Sequence, residues 1–424
     1  MKISKLWGYQ ILDSRGRPTV AVTLLLTDGS LHVARIPSGA STGLHEAKEL
    51  RDHSGKFSES MYGGNSVFQA CANINEIVAP RLAGQVPDLS EADQLLRSLD
   101  DNEGFQVIGA NAALAVSIAV AKAQAHAHGI SLSRLFQPEG ALKLPMPMVN
   151  ILSGGAHARN TIDIQDVLVI PHGATSFQEA MGWVSAIREV AAQAGAKLGA
   201  PTHLTADEGG LAIELETVDA ACEFVTACIF DAGLQVGSDV SLAIDFAATQ
   251  FYRDGIYHLA KSKAKYSSAN FVHYVQHLVT NQPIISIEDP FAEDDWVSWS
   301  EFMHNAPNGL QVIGDDLFTT NLVRLERGIE ERACNAILIK PNQNGLLSNT
   351  LKVLERAQKE NFRTIVSGRS GETEDSWLAD LAVGWRAEQI KVGSTHGAER
   401  TAKWNRLFEL EATERCEFSR PFLQ

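Results

Sequence analysis

Three acidic residues in the second half of the chain each end a short apolar run: Asp245, Glu288 and Asp315. Such runs are typical of parallel strands, whose carboxyl ends meet on one face of an α/β barrel. Three carboxylates gathered there repel one another unless a cation neutralises them. Any one of them alone could be a helix cap or a solvated loop acid. Because the set offers only oxygen ligands, with no Cys or His nearby, it predicts a Mg²⁺ site.

Cations end three further runs of the same kind, at Lys340, Arg369 and Lys391. A lysine close to a metal and to other cations can have its pKa lowered enough to act as a base. Arginine suits bidentate recognition of phosphate or carboxylate groups. The alternative is an ion-pair network across the same face. Together, the acids and cations predict an enzyme that removes a proton next to a carboxylate.

A fourth acid lies in the segment Asp207–Gly210, which precedes a helical pattern. Its two glycines favour a tight loop, so Glu208 is expected at the same face of the barrel. A carboxyl group that faces a basic cluster could protonate a leaving group. By itself, the segment would be only a turn.

The elements that must position these residues are short apolar runs alternating with helical patterns. Successive later runs begin about 24 to 28 residues apart, which is room for a loop, a helix and a return. The pattern predicts a TIM-like eight-stranded α/β barrel. The runs are Ile164–Ile170, Val240–Asp245, Ile284–Glu288, Val312–Asp315, Ala336–Lys340, Thr364–Arg369 and Gln389–Lys391.

The first third of the chain follows a different pattern, with β-branched runs separated by an Asp28-Gly29 turn and helical patterns over 67–82 and 110–127. This predicts a smaller α+β domain with an antiparallel sheet. The small residues of Pro37–Gly43 indicate a mobile loop. We place an N-terminal capping domain at 1–136 and the barrel at 137–424, close to a Pro-rich stretch near residue 145.

The composition is that of an ordinary globular protein: 424 residues, 45% apolar and 21% charged. A net charge of -15 disfavours nonspecific binding to nucleic acid or anionic membranes. The five cysteines show no CxxC spacing, so neither a zinc site nor a disulfide framework is expected. The absence of a long apolar run or signal-peptide pattern predicts a cytoplasmic protein without a membrane span.

The segments that contain these candidate catalytic and metal-binding residues resemble the enolase family over nearly the whole chain. The resemblance implies an enolase-type barrel preceded by a small α+β domain. It rests on the ordered motifs Asp13–Thr19, Pro37–Gly43, Ile108–Ala112, Asp207–Gly210, Ser286–Asp289, Gly314–Phe318, Leu338–Gln343, Arg369–Asp375 and Ala402–Asn405.

Enolase-superfamily sites use a Lys or His base with one or two Mg²⁺ ions. The resemblance implies that Asp245, Glu288 and Asp315 hold the first Mg²⁺, and that Lys340 abstracts the proton α to the substrate carboxylate. The reaction implied is elimination of water from 2-phosphoglycerate to give phosphoenolpyruvate. Glu208 would act as the acid on the departing hydroxyl.

The resemblance also implies supporting roles. Asp166 would assist the acid, and Ser41 would close over the substrate and take part in binding a second Mg²⁺. The expected partners are a small phosphorylated or phosphonylated carboxylate and a second copy of the chain, in a homodimer or higher homo-oligomer. The remaining substrate contacts implied are His157 and Gln165 near the substrate, Arg369 and Ser370 at its phosphate, and Lys391 at its carboxylate.

Two departures from the family pattern fall inside this site. Gly368 replaces the His of His-Arg-Ser-Gly-Glu, so space opens beside the phosphate. Asp166 replaces the Glu of Gln-Glu-Phe, which shortens the reach of a carboxylate by about 1.5 Å. A misplacement of that size can cost about a hundredfold in rate. The family's second arginine is also lost within Ser394–Arg400.

Three interpretations remain open. The first is an ordinary enolase that tolerates these substitutions. The second is a paralogue resembling carboxyphosphonoenolpyruvate synthase of phosphonate and phosphinate natural-product pathways, whose larger phosphorus group would suit the space at Gly368. The third is a noncatalytic structural protein that has kept the fold. The retained metal carboxylates and lysines weigh against the third, because no fold requirement demands them.

Overall fold

The N-terminal third begins with an antiparallel three-stranded sheet. A computed structural model describes residues 1–39, 43–53, 61–100 and 104–422. The predicted site residue Ser41 therefore lies outside the described residues. The central strand of the sheet pairs with both neighbours, and the predicted turn at Asp28-Gly29 connects the second and third strands. The strands are β1 (Ile3–Leu12), β2 (Pro18–Leu26) and β3 (Leu31–Arg35).

Helices cover this sheet. The longest of them buries 14 of its 18 residues, because its many alanines allow close packing against β2 and β3. A π-helical turn, Ile74–Val78, separates the first two helices. The helices are α1 (Phe68–Asn73), α2 (Ala79–Leu82), α3 (Leu89–Leu99), α4 (Ala110–Ala127) and α5 (Leu132–Phe136).

The rest of the chain contains the strands of a closed eight-stranded barrel and a few short strands outside it. The strands in chain order are β4 (Leu142–Leu144), β5 (Met146–Ser153), β6 (Asp166–Ile170), β7 (Ser241–Asp245), β8 (Tyr252–Arg253), β9 (Ile256–His258), β10 (Lys265–Ser267), β11 (Ile284–Glu288), β12 (Gln311–Gly314), β13 (Ala336–Ile339), β14 (Arg363–Ser367), β15 (Gln389–Lys391) and β16 (Cys416–Phe418).

Helices follow most of these strands and surround the barrel. Several begin at a Ser, Thr or Asn whose side chain accepts a hydrogen bond from an amide of the first turn, as Ser176 does for α6 and Asn321 for α10. The helices are α6 (Phe177–Lys197), α7 (Val218–Asp231), α8 (Ser268–Asn281), α9 (Trp296–Asn305), α10 (Leu322–Glu330), α11 (Pro341–Asn344), α12 (Leu347–Lys359), α13 (Trp377–Gly384) and α14 (Ala398–Thr413).

The barrel closes in the order β11-β12-β13-β14-β15-β5-β6-β7. The predicted eight-stranded barrel is thereby confirmed, and the seven predicted runs correspond to seven of its strands. The eighth strand, β5, lies in the Pro-rich stretch that the sequence indicated only as a boundary. The division between domains at residue 136 stays a prediction.

One strand runs against the others. β6 pairs antiparallel with both β5 and β7, so the expectation that all strands are parallel is wrong for this strand. Parallel neighbouring strands require a crossover connection, which is usually a helix. Because no α-helix lies between β5 and β6 within the described residues, these two strands pair antiparallel. The reversal has a functional consequence: Asp166, at the amino end of β6, pairs with Asp245 at the carboxyl end of β7. Both therefore lie at the same mouth of the barrel.

Apolar side chains fill the barrel interior, so it is a packed core and not a channel. Phe418 and Phe422 from the C-terminal segment pack against this interior cluster. Among the described residues, no helix combines the length and apolar character needed to cross a bilayer. The interior cluster consists of Met146, Met148, Leu168, Ile170, Ala243, Ile313, Ala336, Leu338 and Ile365.

The N-terminal helices contact the barrel domain at the first residues of α12, where two of their side chains bind backbone amides. The residue before this helix is Leu346, whose apolar side chain cannot accept a hydrogen bond from the amides of the first turn. Instead, Asp93 of α3 accepts a hydrogen bond from the Ser348 amide (2.9 Å), and Ser117 of α4 accepts one from the Leu347 amide (3.2 Å). Buried amides need such partners. These contacts therefore fix the orientation of the N-terminal helices against the barrel.

Candidate active site

A small pocket opens at the mouth of the barrel, where the carboxyl ends of the parallel strands meet. Eight of the predicted site residues line it: His157, Gln165, Glu208, Asp315, Lys340, Arg369, Ser370 and Lys391. Three more contact the lining from behind, namely Asp166, Asp245 and Glu288. The structure thus brings together every predicted site residue that it describes. A larger groove between α6 and α14 contains none of them.

The acids and lysines alternate across this mouth. Nζ of Lys391 lies 2.7 Å from Oδ2 of Asp245 and 2.7 Å from Oε2 of Glu288. Nζ of Lys340 contacts Oδ2 of Asp315. These side chains are buried, except for Lys340, which is largely buried, so the charges interact strongly and are weakly screened by solvent.

The acid groups fit a hard divalent cation. Burial, reinforced by the charge of Asp245, raises the pKa of Glu288 well above its ordinary value. Oε1 of Glu288 is buried without a hydrogen-bond partner. Asp245 adds further carboxylate oxygens, which are the ligands that Mg²⁺ prefers. Among the described residues, however, the acids whose ligand atoms converge with those of Asp315 are Asp289 and Asp316, so a single set of Asp245, Glu288 and Asp315 stays a prediction. A bound cation would give the unpartnered Glu288 oxygen a partner and would reduce the repulsion between the Glu288 and Asp245 carboxylates.

The immediate surroundings of Lys340, the lysine expected to act as the base, are anionic. Burial alone would lower the pKa of Lys340, but the neighbouring Asp315 carboxylate outweighs it and raises that pKa above its ordinary value. The prediction assumed a cation beside the lysine, whereas here its nearest partner is an anion. Lys340 is therefore protonated as long as the charge of Asp315 is not neutralised.

His157, Asp166 and Glu208 form a second buried group, with ligand atoms within 4.8 Å of one another. Nδ1 of His157 lies 3.7 Å from Oδ2 of Asp166, which is an ion-pair distance. The other oxygen of Asp166 accepts hydrogen bonds from Ser153 (3.0 Å) and from the Asn150 amide. The shorter Asp166 side chain is thus held by β5 and still faces His157.

Burial raises the pKa of Asp166, and the pKa of His157 is raised as well. Burial opposes the charge of His157, but Glu208 and Asp166 outweigh burial and raise the pKa of His157 to about 9. Burial would raise the pKa of Glu208, yet the positive charges of His157 and Arg400 bring it below its usual value. The lowered pKa favours the ionised form of Glu208, the predicted acid, and the raised pKa values make His157 and Asp166 the members of the group that more readily hold a proton.

This arrangement predicts a pH-dependent stability. Because the pKa of His157 rises from 6.5 unfolded to about 9 folded, its contribution is full below pH 6.5 and is lost as the pH rises through about 9. The shift corresponds to about 3 kcal/mol. Urea unfolding of the wild type and of His157→Gln at pH 6, 7.5 and 9.5 should show the difference between them shrinking. The exposed His203→Gln serves as the control, and parallel wild-type and His157→Gln profiles would contradict the assignment.

Arg369 is held from several sides. Its guanidinium donates to the Glu46 carboxylate (3.0 and 3.1 Å) and to the Asn342 side-chain oxygen (3.0 Å). Arg400 donates to the carbonyl oxygens of Arg369 and Ser370, both at 2.6 Å. The turn that presents Arg369 and Ser370 to the pocket is therefore fixed by buried charge-assisted hydrogen bonds.

Sequence reasoning missed several residues of the site. Asp289 accepts the amides of Asp315 (2.9 Å) and Asp316 (2.7 Å), and all three form a second close acidic group. Asp289 and Asp316 directly follow predicted metal ligands in the chain, and that adjacency was the available signal. Gln343 donates to Asp315 (3.1 Å). For Glu46, in the N-terminal domain, no local pattern pointed to the barrel mouth.

The space predicted beside Gly368 is partly filled. A Cβ atom at this position would lie 3.0 Å from Oε1 of Glu372 and 3.6 Å from Cα of Val392. Glu372 is held in place by Lys403 (2.7 Å) and by the Arg369 amide (3.1 Å). A larger side chain at Gly368 therefore requires Glu372 to move by a few tenths of an ångström.

Comparison with known proteins agrees with this architecture. Residues 3–136 match the family model "Enolase, N-terminal domain", and residues 141–418 match "Enolase, C-terminal TIM barrel domain". The "Enolase" of Wolinella succinogenes is 42% identical over 414 residues, which cover 97% of this chain and 96% of the relative. The chain therefore belongs to the enolase family, and it is a lyase.

Proposed function

We propose that this chain removes the proton α to the carboxylate of 2-phosphoglycerate and eliminates water to give phosphoenolpyruvate, in a Mg²⁺-dependent reaction. The observation that carries the proposal is the alternation of buried carboxylates and lysines around one small pocket. Family membership supports it, since enolases generally use Mg²⁺ and the relative is named "Enolase". The substrate class is a small phosphorylated carboxylate.

The proposed base is Lys340, which lines the pocket and contacts Asp315. When bound at Asp245, Glu288 and Asp315, Mg²⁺ would supply positive charge to a developing enolate and offset the anion that keeps Lys340 protonated. Lys391 holds two of these carboxylates in place and offers its own charge to the substrate carboxylate. A second Mg²⁺ that involves Ser41 stays a prediction.

The leaving hydroxyl requires a proton, and the His157 group provides it. His157 holds the proton, while Glu208 is ionised and lies beside it in the pocket lining. We propose that Glu208 relays this proton to the hydroxyl and that Asp166 keeps His157 charged. Arg369 and Ser370 bind the phosphate, and the expected homo-oligomer stays a prediction.

The direct test uses purified protein, Mg²⁺ and 2-phosphoglycerate, with the enolpyruvate product followed by its ultraviolet absorbance. We expect turnover in the usual enzyme range of about 1 to 1000 per second. Absent turnover with Mg²⁺-dependent substrate binding would favour the second candidate below. Absence of both would leave only a structural role.

The second candidate is an enzyme similar to carboxyphosphonoenolpyruvate synthase, which would use the same enolate chemistry on a larger phosphorus group. Gly368 favours it, because this residue lines the pocket next to Arg369 and projects no side chain into it. Glu372 argues against the second candidate, because its side chain occupies part of the space beside Gly368 that a larger phosphorus group would need.

Restoring the family's imidazole distinguishes the two candidates. If the chain is an enolase, Gly368→His should raise kcat/KM for 2-phosphoglycerate by about tenfold, the effect of one hydrogen bond to a charged group. Gly368→Ala adds only the Cβ atom that meets Glu372 and should give no gain. Steady-state kinetics of both variants provide the measurement. A fall in kcat/KM for Gly368→His, with Gly368→Ala unchanged, would argue that the site has been adapted to another substrate.

A further inference from the structure

Glu46 is the point where the N-terminal domain enters the barrel mouth. Its side chain is only 7% exposed, although it belongs to an irregular segment outside helices and strands. Oε2 pairs with NH1 of Arg369 at 3.0 Å, and Oε1 pairs with NH2 of Arg369 at 3.1 Å. A bidentate pair of this kind fixes the plane of a guanidinium as well as its distance.

The same carboxylate reaches the opposite side of the pocket. Oε1 also accepts from Nε2 of Gln343 at 3.4 Å, and that amide group donates to Oδ1 of Asp315 at 3.1 Å. The carbonyl of the Gln343 side chain is in turn fixed by Thr320 at 2.7 Å. Glu46 therefore touches both the arginine proposed for phosphate and, through Gln343, a carboxylate proposed for metal.

The backbone around Glu46 is tied to these contacts. Oε1 accepts the amide of Gly43 at 3.0 Å, and the Ala47 amide donates to the Gln343 carbonyl at 2.8 Å. The next residue after Gly43, Leu44, donates its amide to Glu293 at 3.2 Å. Since a buried carboxylate needs its partners, the segment cannot shift without breaking several charge-assisted bonds.

We infer that Glu46 is a positioning residue, which orients Arg369 for the phosphate group of the substrate and couples that arginine to Asp315. The inference rests on the proposed function for its substrate class. It assigns Glu46 no contact with the reacting atoms. Its effect is to hold the guanidinium in one plane, so that binding does not require the arginine to be ordered first.

The test is the affinity for inorganic phosphate and the kinetics of Glu46→Gln, which keeps the size and removes the charge. We expect phosphate binding by calorimetry to weaken about tenfold and KM for 2-phosphoglycerate to rise by a similar factor, with kcat changed much less. Glu46→Asp keeps the charge at a shorter reach and should recover part of the affinity. It also serves as the working variant if Glu46→Gln does not fold.

Glu49→Gln is the matched control, because Glu49 lies in the same segment but pairs with Arg51 (2.8 Å) and Ser38 (3.0 Å). Its phosphate affinity should change much less than that of Glu46→Gln, because the charge of Glu49 acts on Arg369 more weakly than that of Glu46. Unchanged or tighter phosphate binding in Glu46→Gln overturns the inference, and so does an equal loss in Glu49→Gln. If the wild type fails to turn over 2-phosphoglycerate, the proposed function fails, but the phosphate titration still decides the role of Glu46.

Discussion

Replacement of Lys340 by methionine is expected to lower kcat for 2-phosphoglycerate by about a thousandfold, because it removes the proposed base. Methionine keeps most of the side-chain volume and cannot accept a proton. Exchange of the α-proton of 2-phosphoglycerate in deuterated water isolates this step from the loss of hydroxide. We expect that exchange to fall in parallel with kcat, and NMR of the recovered substrate measures it.

A matched lysine separates this effect from a general loss of charge. Lys359, the last residue of α12, is exposed and does not line the pocket, so Lys359→Met should keep full activity. Because Lys340→Met leaves Asp315 without its buried partner, thermal unfolding must show that the variant is folded. Undiminished α-proton exchange in a folded Lys340→Met protein would mean that another group is the base.

The second large effect is expected at Glu288, where a glutamine should weaken Mg²⁺ binding by at least about a hundredfold. The wild type should gain about 2.7 kcal/mol in its free energy of unfolding when Mg²⁺ is present at one hundred times its Kd. Glu288→Gln should gain almost nothing at the same concentration. Denaturant titrations with and without Mg²⁺ measure both values and do not depend on activity.

The metal-free proteins give the complementary result. Because burial and Asp245 raise the pKa of Glu288, its negative charge is costly at this position, and glutamine removes that charge while keeping an oxygen that can accept the hydrogen bond from Lys391. The stability of Glu288→Gln without Mg²⁺ should therefore be close to that of the wild type. Glu355→Gln on the exposed face of α12 is the control and should keep the Mg²⁺ response. Equal Mg²⁺ stabilisation of wild type and Glu288→Gln would remove Glu288 from the metal site.

The departures from the family pattern concern the substrate side of the pocket more than its charges. Asp166 keeps an ion pair with His157 despite its shorter side chain, because Ser153 and Asn150 hold it from β5. Gly368 leaves a position that Glu372 partly fills. The residues proposed for proton transfer thus remain in contact, and we propose that the substitutions bear mainly on which phosphorus group fits.

Much of the fold was predictable because the signals are local. Apolar runs followed by helical patterns reveal strand and helix by their periodicity, and an Asp-Gly pair marks a hairpin turn. The polar residue that ends a run, such as Glu288 or Lys391, lies at the mouth because strand ends converge there. The strand β5 was missed, since its prolines resemble a boundary when the neighbouring strands are not in view.

By itself, the amino-acid sequence predicted most of the charged groups at the barrel mouth, but not Asp289, Asp316 or Glu46. Only the tertiary structure decided how they pair, because pairing depends on distances between residues far apart in the chain. The direction of β6, which brings Asp166 to His157, follows from its connections and not from its periodicity. Likewise, the contact with Asp315 decides that Lys340 holds its proton, and the packing of the N-terminal domain decides that Glu46 reaches Arg369.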